Sequence, residues 1–171
     1  VKAVIINTTS EKSFNPVFTR NFLKVVFAIL LLLWCAGNIY SFLAANNVNH
    51  FVSAFLNHTY SIVCHQAEHK LIYFDGSSTY LCARCTGIYV GALFMAVSLL
   101  MINFKTNISL KPLIISSSII LLDVVFINTH LYNYISWIAF TSGFIFGAVI
   151  YIYIVQVFVE YMKLISPKKI L

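Results

Sequence analysis

Apolar residues fill this chain in long blocks separated by short polar joints, and the blocks approach the ~20 apolar residues that a helix needs to cross a bilayer. The first covers residues 22–45, where Val25, Val26, Phe27 and the run Leu30 to Leu33 follow Arg20 and Lys24. The second covers 81–104, the third 112–128 and the fourth 135–162. Pro112 suits the first turn of a helix, where a missing N–H costs nothing. Residues 1–21, with Asn7, Ser10, Glu11, Lys12, Asn15 and Pro16, form a mixed polar tail. They do not read as a signal peptide, because the apolar run after them is too long and lacks a small-residue cleavage pattern. In the joint 46–80, Val48, Phe51, Val52, Phe55 and Leu56 recur at helical spacing beside Asn49, His50, Ser53 and Asn57. That pattern predicts a short amphipathic helix at the membrane interface, covering the end of the bundle. The expected fold is therefore all-α: one polytopic membrane domain of four transmembrane helices plus a short interfacial helix. The third span carries Ser116, Ser117, Ser118 and Asp123 and is expected inside the bundle.

Composition agrees with this pattern. Of 171 residues 60% are apolar and 9% charged, and the mean hydropathy is +0.88, which excludes an ordinary soluble domain, about a quarter of which is charged. The net charge of +6 reports topology, since the basic residues sit at the ends of apolar runs. Lys2, Lys12, Arg20, Lys24, Lys105, Lys111, Lys163, Lys168 and Lys169 fall on one side, and Lys70 and Arg84 on the other. By the positive-inside rule both termini are cytoplasmic, and 46–80 faces the outside. The partner implied is the lipid bilayer, and nucleic acid is excluded.

An echo links the second and fourth spans: Thr86-Gly87-Ile88-Tyr89-Val90-Gly91-Ala92 against Ser142-Gly143-Phe144-Ile145-Phe146-Gly147-Ala148. Glycines at i and i+4 clear one helix face for close approach of another backbone. The echo fits a parallel repeat of two helical hairpins, with packing inside the monomer favoured over a dimer seam.

Three of the four cysteines lie in a 22-residue window: Cys64-His65-Gln66-Ala67-Glu68-His69, then Cys82-Ala83-Arg84-Cys85. Cys82-x-x-Cys85 offers two thiolates to one soft or borderline metal, and Cys64 with His65 can complete a tetrahedral site, as in a zinc ribbon. The expected ligands are Cys64, His65, Cys82 and Cys85, holding zinc or another transition metal. The loop 71–80, turning at Asp75-Gly76-Ser77-Ser78, is long enough to fold Cys64 over the other two. A disulfide is the alternative on an oxidising face. Haem attachment is disfavoured because Thr86, not His, follows Cys85. His69 is the alternative fourth ligand. His50 and His58 read as surface residues, and His130 as an interfacial one in the turn between spans three and four. Cys35 reads as a small buried apolar residue. Asp123, roughly 16 Å along its span from Pro112, needs a partner or a function. The options are a pair with Arg84, a hydrogen bond from a metal-bound His, proton relay, or a neutral carboxyl bonded to serine.

At Cys64-His65-Gln66 and Cys82-Ala83-Arg84-Cys85-Thr86-Gly87-Ile88-Tyr89-Val90-Gly91 the chain resembles a family of small bacterial membrane proteins, domain of unknown function 2085. Asp123 and Ser142-Gly143 to Gly147 are similar to that family's later Asp and Thr-Gly-x-x-x-Gly segments. The chain departs from it at Ala67-Glu68-His69-Lys70, where the family shows Pro-x-Arg-Ser, and at Ala139-Phe140, where it carries an Arg. The resemblance implies a multi-pass protein of the bacterial cytoplasmic membrane with a metal site and no established activity.

Several functions compete. A metal at the outer end of the bundle could fasten the loop. With one coordination position open, its acidified water could support hydrolysis, with Glu68 or Asp123 as base. Thiol exchange by Cys82 and Cys85, with Cys64 as resolving thiol and Arg84 and a helix start lowering a thiol pKa, is the second reading. A noncatalytic subunit among other membrane protein subunits is the third, fitting small residues and 16% aromatics. Transport has weaker support, because one intramembrane acid gives little polar lining.

Overall fold

The computed structural model describes residues 16–44, 49–74, 76–101 and 109–165. The polar tail through Asn15, the end of the first expected span, Val48, Asp75, the end of the second span with the following joint through residue 108, and Lys2, Lys12, Lys105, Lys168 and Lys169 lie outside them. Helix α1 (Pro16–Asn38) begins well before residue 22 and stops at Asn38, and a single turn, α2 (Tyr40–Leu43), follows. Helix α3 (His50–Ser61) starts at Asn49, whose side chain accepts the Phe51 N–H and satisfies one orphan donor of the first turn. Helices α4 (Ala83–Met101), α5 (Lys111–Asn128) and α6 (Ser136–Ile165) complete the bundle. Three stretches are long and apolar enough to cross a membrane, Ala83–Met101, Lys111–Asn128 and Ser136–Phe158, and a shorter apolar stretch covers Phe22–Asn38.

The protein is mostly helical but not all-α. Residues read as a loop form an antiparallel hairpin, β1 (Leu71–Phe74) and β2 (Ser77–Cys82), pairing Leu71 with Cys82, Tyr73 with Ser78 and Phe74 with Ser77. Ser77, Ser78, Leu81 and Cys82 thus belong to a strand instead of a turn or a helix. Gly76 turns with φ of 73°, a conformation that glycine adopts without penalty. The ladder is irregular between Leu71 and Tyr73, where the Ile72 N–H bonds the Thr79 hydroxyl.

Helices α4 and α6 pack in parallel through their glycines. A Cβ on Gly91 would lie 2.1 Å from the Phe144 carbonyl oxygen, and one on Gly147 would lie 1.9 Å from that of Ile88. The Gly-x-x-x-Gly echo is therefore a seam inside the monomer. Replacing Gly91 or Gly147 by Ala forces backbones apart and is expected to cost about 1–3 kcal/mol each, read as a lower midpoint in detergent denaturation. Ala28 of α1, Ala92, Ala96 and Leu99 of α4 and Tyr151 of α6 fill one core cluster.

Helix α5 differs from expectation. It packs on α6, while Ile114, Leu121, Leu122 and Val125 are exposed, so it lies at the edge of the bundle instead of inside it. Of its serines, Ser116 is buried and Ser117 and Ser118 are exposed. The Ser116 and Ser118 hydroxyls donate to carbonyls of their own helix, at Leu113 and Ile114. His130 terminates α5 in the left-handed region, φ 57°, with Leu131 N–H bonding Phe126 O and His130 N–H bonding Ile127 O. That is a Schellman end, and the histidine acts there as a helix stop.

Candidate metal centre

Each cysteine is delivered by a different local device. Cys64 ends the turn that follows α3, its N–H bonded to Tyr60 O at 3.0 Å. Cys82 closes β2, and Cys85 sits in the first turn of α4, three residues on. The three sulfurs all lie within 4.8 Å of one another. All four cysteines of the chain are free thiols, and Cys35, on α1, is half-buried and outside the trio.

The immediate surroundings favour thiolate at Cys82. The Cys82 N–H donates to Cys64 Sγ at 3.4 Å. The Cys82 thiol is held down to about 5, chiefly by a hydrogen bond with the Cys85 side chain. Burial opposes this, and the N–H groups of Cys85 and Arg84 reinforce it at the positive end of α4. Tyr60 and Leu81, 1% and 0% exposed, seal Cys64 from solvent. Trp34, Tyr80 and Tyr89 complete the surround, with Trp34 edge-on to Tyr60 at 4.8 Å and Tyr80 stacked on Tyr60 at 5.9 Å.

His65, expected as the fourth ligand, is exposed and outside the trio, and so is His69. Neighbouring side chains diverge, and the left-handed Gln66, φ 49°, turns the chain away immediately afterwards. Gln66 Nε2 instead donates to Asn57 O at 3.3 Å and Tyr80 O at 2.9 Å, fastening the Cys64 segment to β2. His50 and His58 are exposed, as expected.

A metal-holding role fits the donor set. Zn–S bonds of about 2.3 Å in a tetrahedral site require sulfurs about 3.8 Å apart, and three mutually adjacent thiols reach that spacing by small side-chain rotations. The trio would supply three thiolates to a soft or borderline ion and leave one coordination position to another ligand.

Two supports of this centre were not read from the sequence. Asn38, 3% exposed at the end of α1, accepts the Leu81 N–H at 2.8 Å and donates to Thr86 Oγ1 at 3.1 Å. It therefore clamps the residues on either side of Cys82 and Cys85. Asn38→Leu leaves a buried N–H and hydroxyl without that partner, a cost of about 1–3 kcal/mol. The loss is expected to appear as a lower midpoint in detergent denaturation. Tyr60 passes over Gly37 to donate to Trp34 O at 2.6 Å. An Asn ending an apolar helix was the available signal for the first of these.

Asp123 is buried and pairs with Arg84, while its other oxygen accepts from Tyr132. Of the options open in the sequence, the Arg84 pair is the one formed. Both carboxylate oxygens are engaged, and Glu68 lies exposed on a 3₁₀ turn (Glu68–Lys70). That turn packs on Tyr134, with the Lys70 ammonium 5.9 Å from the ring centre, so hairpin and α5–α6 turn share one end of the bundle.

The model of a family described as predicted membrane proteins, DUF2085, matches residues 64–153, from the first clustered cysteine into α6. The chain belongs to that family. A relative, the uncharacterized protein MJ1492 of Methanocaldococcus jannaschii, is 29% identical over 120 residues, covering 64% of this chain and 72% of the relative. No solved structure matches. This DUF2085 chain thus has the membrane character of its family, and the matched region contains all three clustered cysteines.

Proposed function

We propose that this DUF2085 protein crosses the membrane four times with both termini cytoplasmic and holds a transition metal, zinc foremost, between Cys64, Cys82 and Cys85. The observation that carries the metal is the three sulfurs within 4.8 Å. The fourth span is α1, whose 23 residues at 1.5 Å each exceed the ~30 Å hydrocarbon core. The basic residues favour an extracytoplasmic hairpin, and a cytoplasmic membrane is the fitting location.

The ion's role in this reading is to fasten hairpin, α3 and α4 together. A two-stranded hairpin is marginal in water by itself, and three ligands from three segments supply the missing cross-link. Water or an outside ligand takes the fourth position, so His65→Ala retains the ion. Elemental analysis of protein purified without chelators is expected to give one ion per chain. A well-folded, metal-free protein would overturn the reading. A Cys82–Cys85 disulfide in its place would favour thiol exchange, which the same sulfur proximity supports second.

A further inference from the structure

Helix α3 presents three faces. At about 100° per residue, Leu56 and Tyr60 point into the aromatic cluster around Cys64. Phe51, Phe55 and Ile62 fall on a second face within about 40° of one another and are 81%, 63% and 76% exposed. His50, Ser53 and Asn57 form a third, and they wall a groove of about 530 Å³ whose other side is Gln66, Ser78 and Tyr80. That volume lies in the range of small-molecule sites.

The groove is pre-formed. Ser53 and Tyr80 hydroxyls bond across it at 2.8 Å, and Gln66 ties Asn57 O to Tyr80 O along its floor. Gln66 holds a left-handed backbone that a non-glycine residue rarely adopts. No Asp, Glu, Lys or Arg lines the groove among the described residues. The Asn57 amide, the Ser78 hydroxyl and the His50 imidazole have no protein partner among those residues, so their donors and acceptors are available.

An anionic ligand would call for cations in the wall, a cationic one for carboxylates, and an apolar one for an apolar lining. Beside His50, Ala54 and Leu71 the lining is made of hydroxyls and amides, which match a sugar ring, whose hydroxyls both donate and accept. The adjacent Phe51, Phe55 and Ile62 stripe is the type of face that enters the headgroup and acyl boundary. We propose that the groove holds the neutral, polyhydroxylated headgroup of a membrane glycolipid, its chains lying along that stripe. This rests on the membrane reading of α3 and is independent of the metal.

Native mass spectrometry of the full chain in detergent, titrated with digalactosyl diacylglycerol, phosphatidylcholine and phosphatidylglycerol, tests it. The expected result is preferential retention of the galactolipid, reversed by excess free galactose. Asn57→Ala combined with Ser78→Ala leaves intact the backbone carbonyls that Gln66 and Ser41 use, and should weaken retention about tenfold, as for one or two lost hydrogen bonds. Phe51→Ser should weaken the lipid while leaving competition by free galactose unchanged. Equal retention of all three lipids, preference for phosphatidylglycerol, or undiminished retention in the double variant would overturn the proposal. Metal content of the same samples separates such a failure from failure of the metal centre.

Discussion

Cys85→Ser is expected to lose bound metal, with affinity falling more than the ~10- to 100-fold that follows loss of a residue merely supporting a ligand. Only two sulfurs would remain, on Cys64 and Cys82, and they lie on the segments that the ion is proposed to join. The expected consequence reaches beyond stoichiometry. Without the ion, the hairpin is held by its own short ladder and by side-chain ties such as Gln66 to Tyr80 and Asn38 to Leu81. Amide exchange over residues 64–82 should accelerate, while exchange in α4 and α6 beyond Gly91 stays slow, because the glycine seam does not depend on the metal. Cys35→Ser is the control, since that thiol lies outside the trio. Metal retained by Cys85→Ser, or exchange faster throughout the bundle, would contradict this view.

The second large effect concerns Asp123. Its carboxylate and the Arg84 guanidinium are 6% and 20% exposed, so removing one partner leaves the other charge almost dry. Asp123→Ala is expected to destabilise the protein by about 3–5 kcal/mol, measured by denaturation in mixed micelles. Replacing both residues, with Arg84→Met and Asp123→Leu, should recover much of that loss, because paired apolar groups avoid the desolvation of both ions. The pair also joins α5 to α4 directly, whereas the extensive contacts of α5 are with α6. Tyr132→Phe removes one charge-assisted hydrogen bond to the same carboxylate and should cost about 1.5–3 kcal/mol, less than loss of the ion pair. A double variant no more stable than Asp123→Ala would show that the loss is one of packing instead of charge.

Much of this architecture was readable from one sequence because membrane physics is a strong filter. Blocks such as Leu30 to Leu33 and the Gly87/Gly91 and Gly143/Gly147 pairs allow few alternatives, and the cysteine spacing brought Cys64 to Cys82 and Cys85 before any coordinates did. The errors have physical causes. Asp75-Gly76 between Leu71-Ile72-Tyr73-Phe74 and Thr79-Tyr80-Leu81 is a hairpin signal, but an isolated pair of strands is marginal, so the pattern alone does not separate it from a loop. The hairpin owes its stability to distant partners such as Asn38, Ser41 and Gln66, none of them adjacent to it in sequence. The serines of α5 suggest burial, yet Ser117 and Ser118 are exposed and Ser116 alone of the three is buried, and the Ser116 and Ser118 hydroxyls are satisfied by carbonyls of their own turn. The position of His65, outside the trio, depends on backbone direction at Gln66, and a left-handed non-glycine residue has no reliable sequence signature.

X-ray absorption at the metal edge of the freshly purified, full-length protein tests the proposed centre most directly. It is expected to show one ion with three sulfur neighbours at about 2.3 Å and a single lighter ligand at about 2.0–2.1 Å. A shell of nitrogen and oxygen alone, or a folded protein that binds no ion while its three thiols remain reduced, as alkylation after denaturation would show, would contradict it.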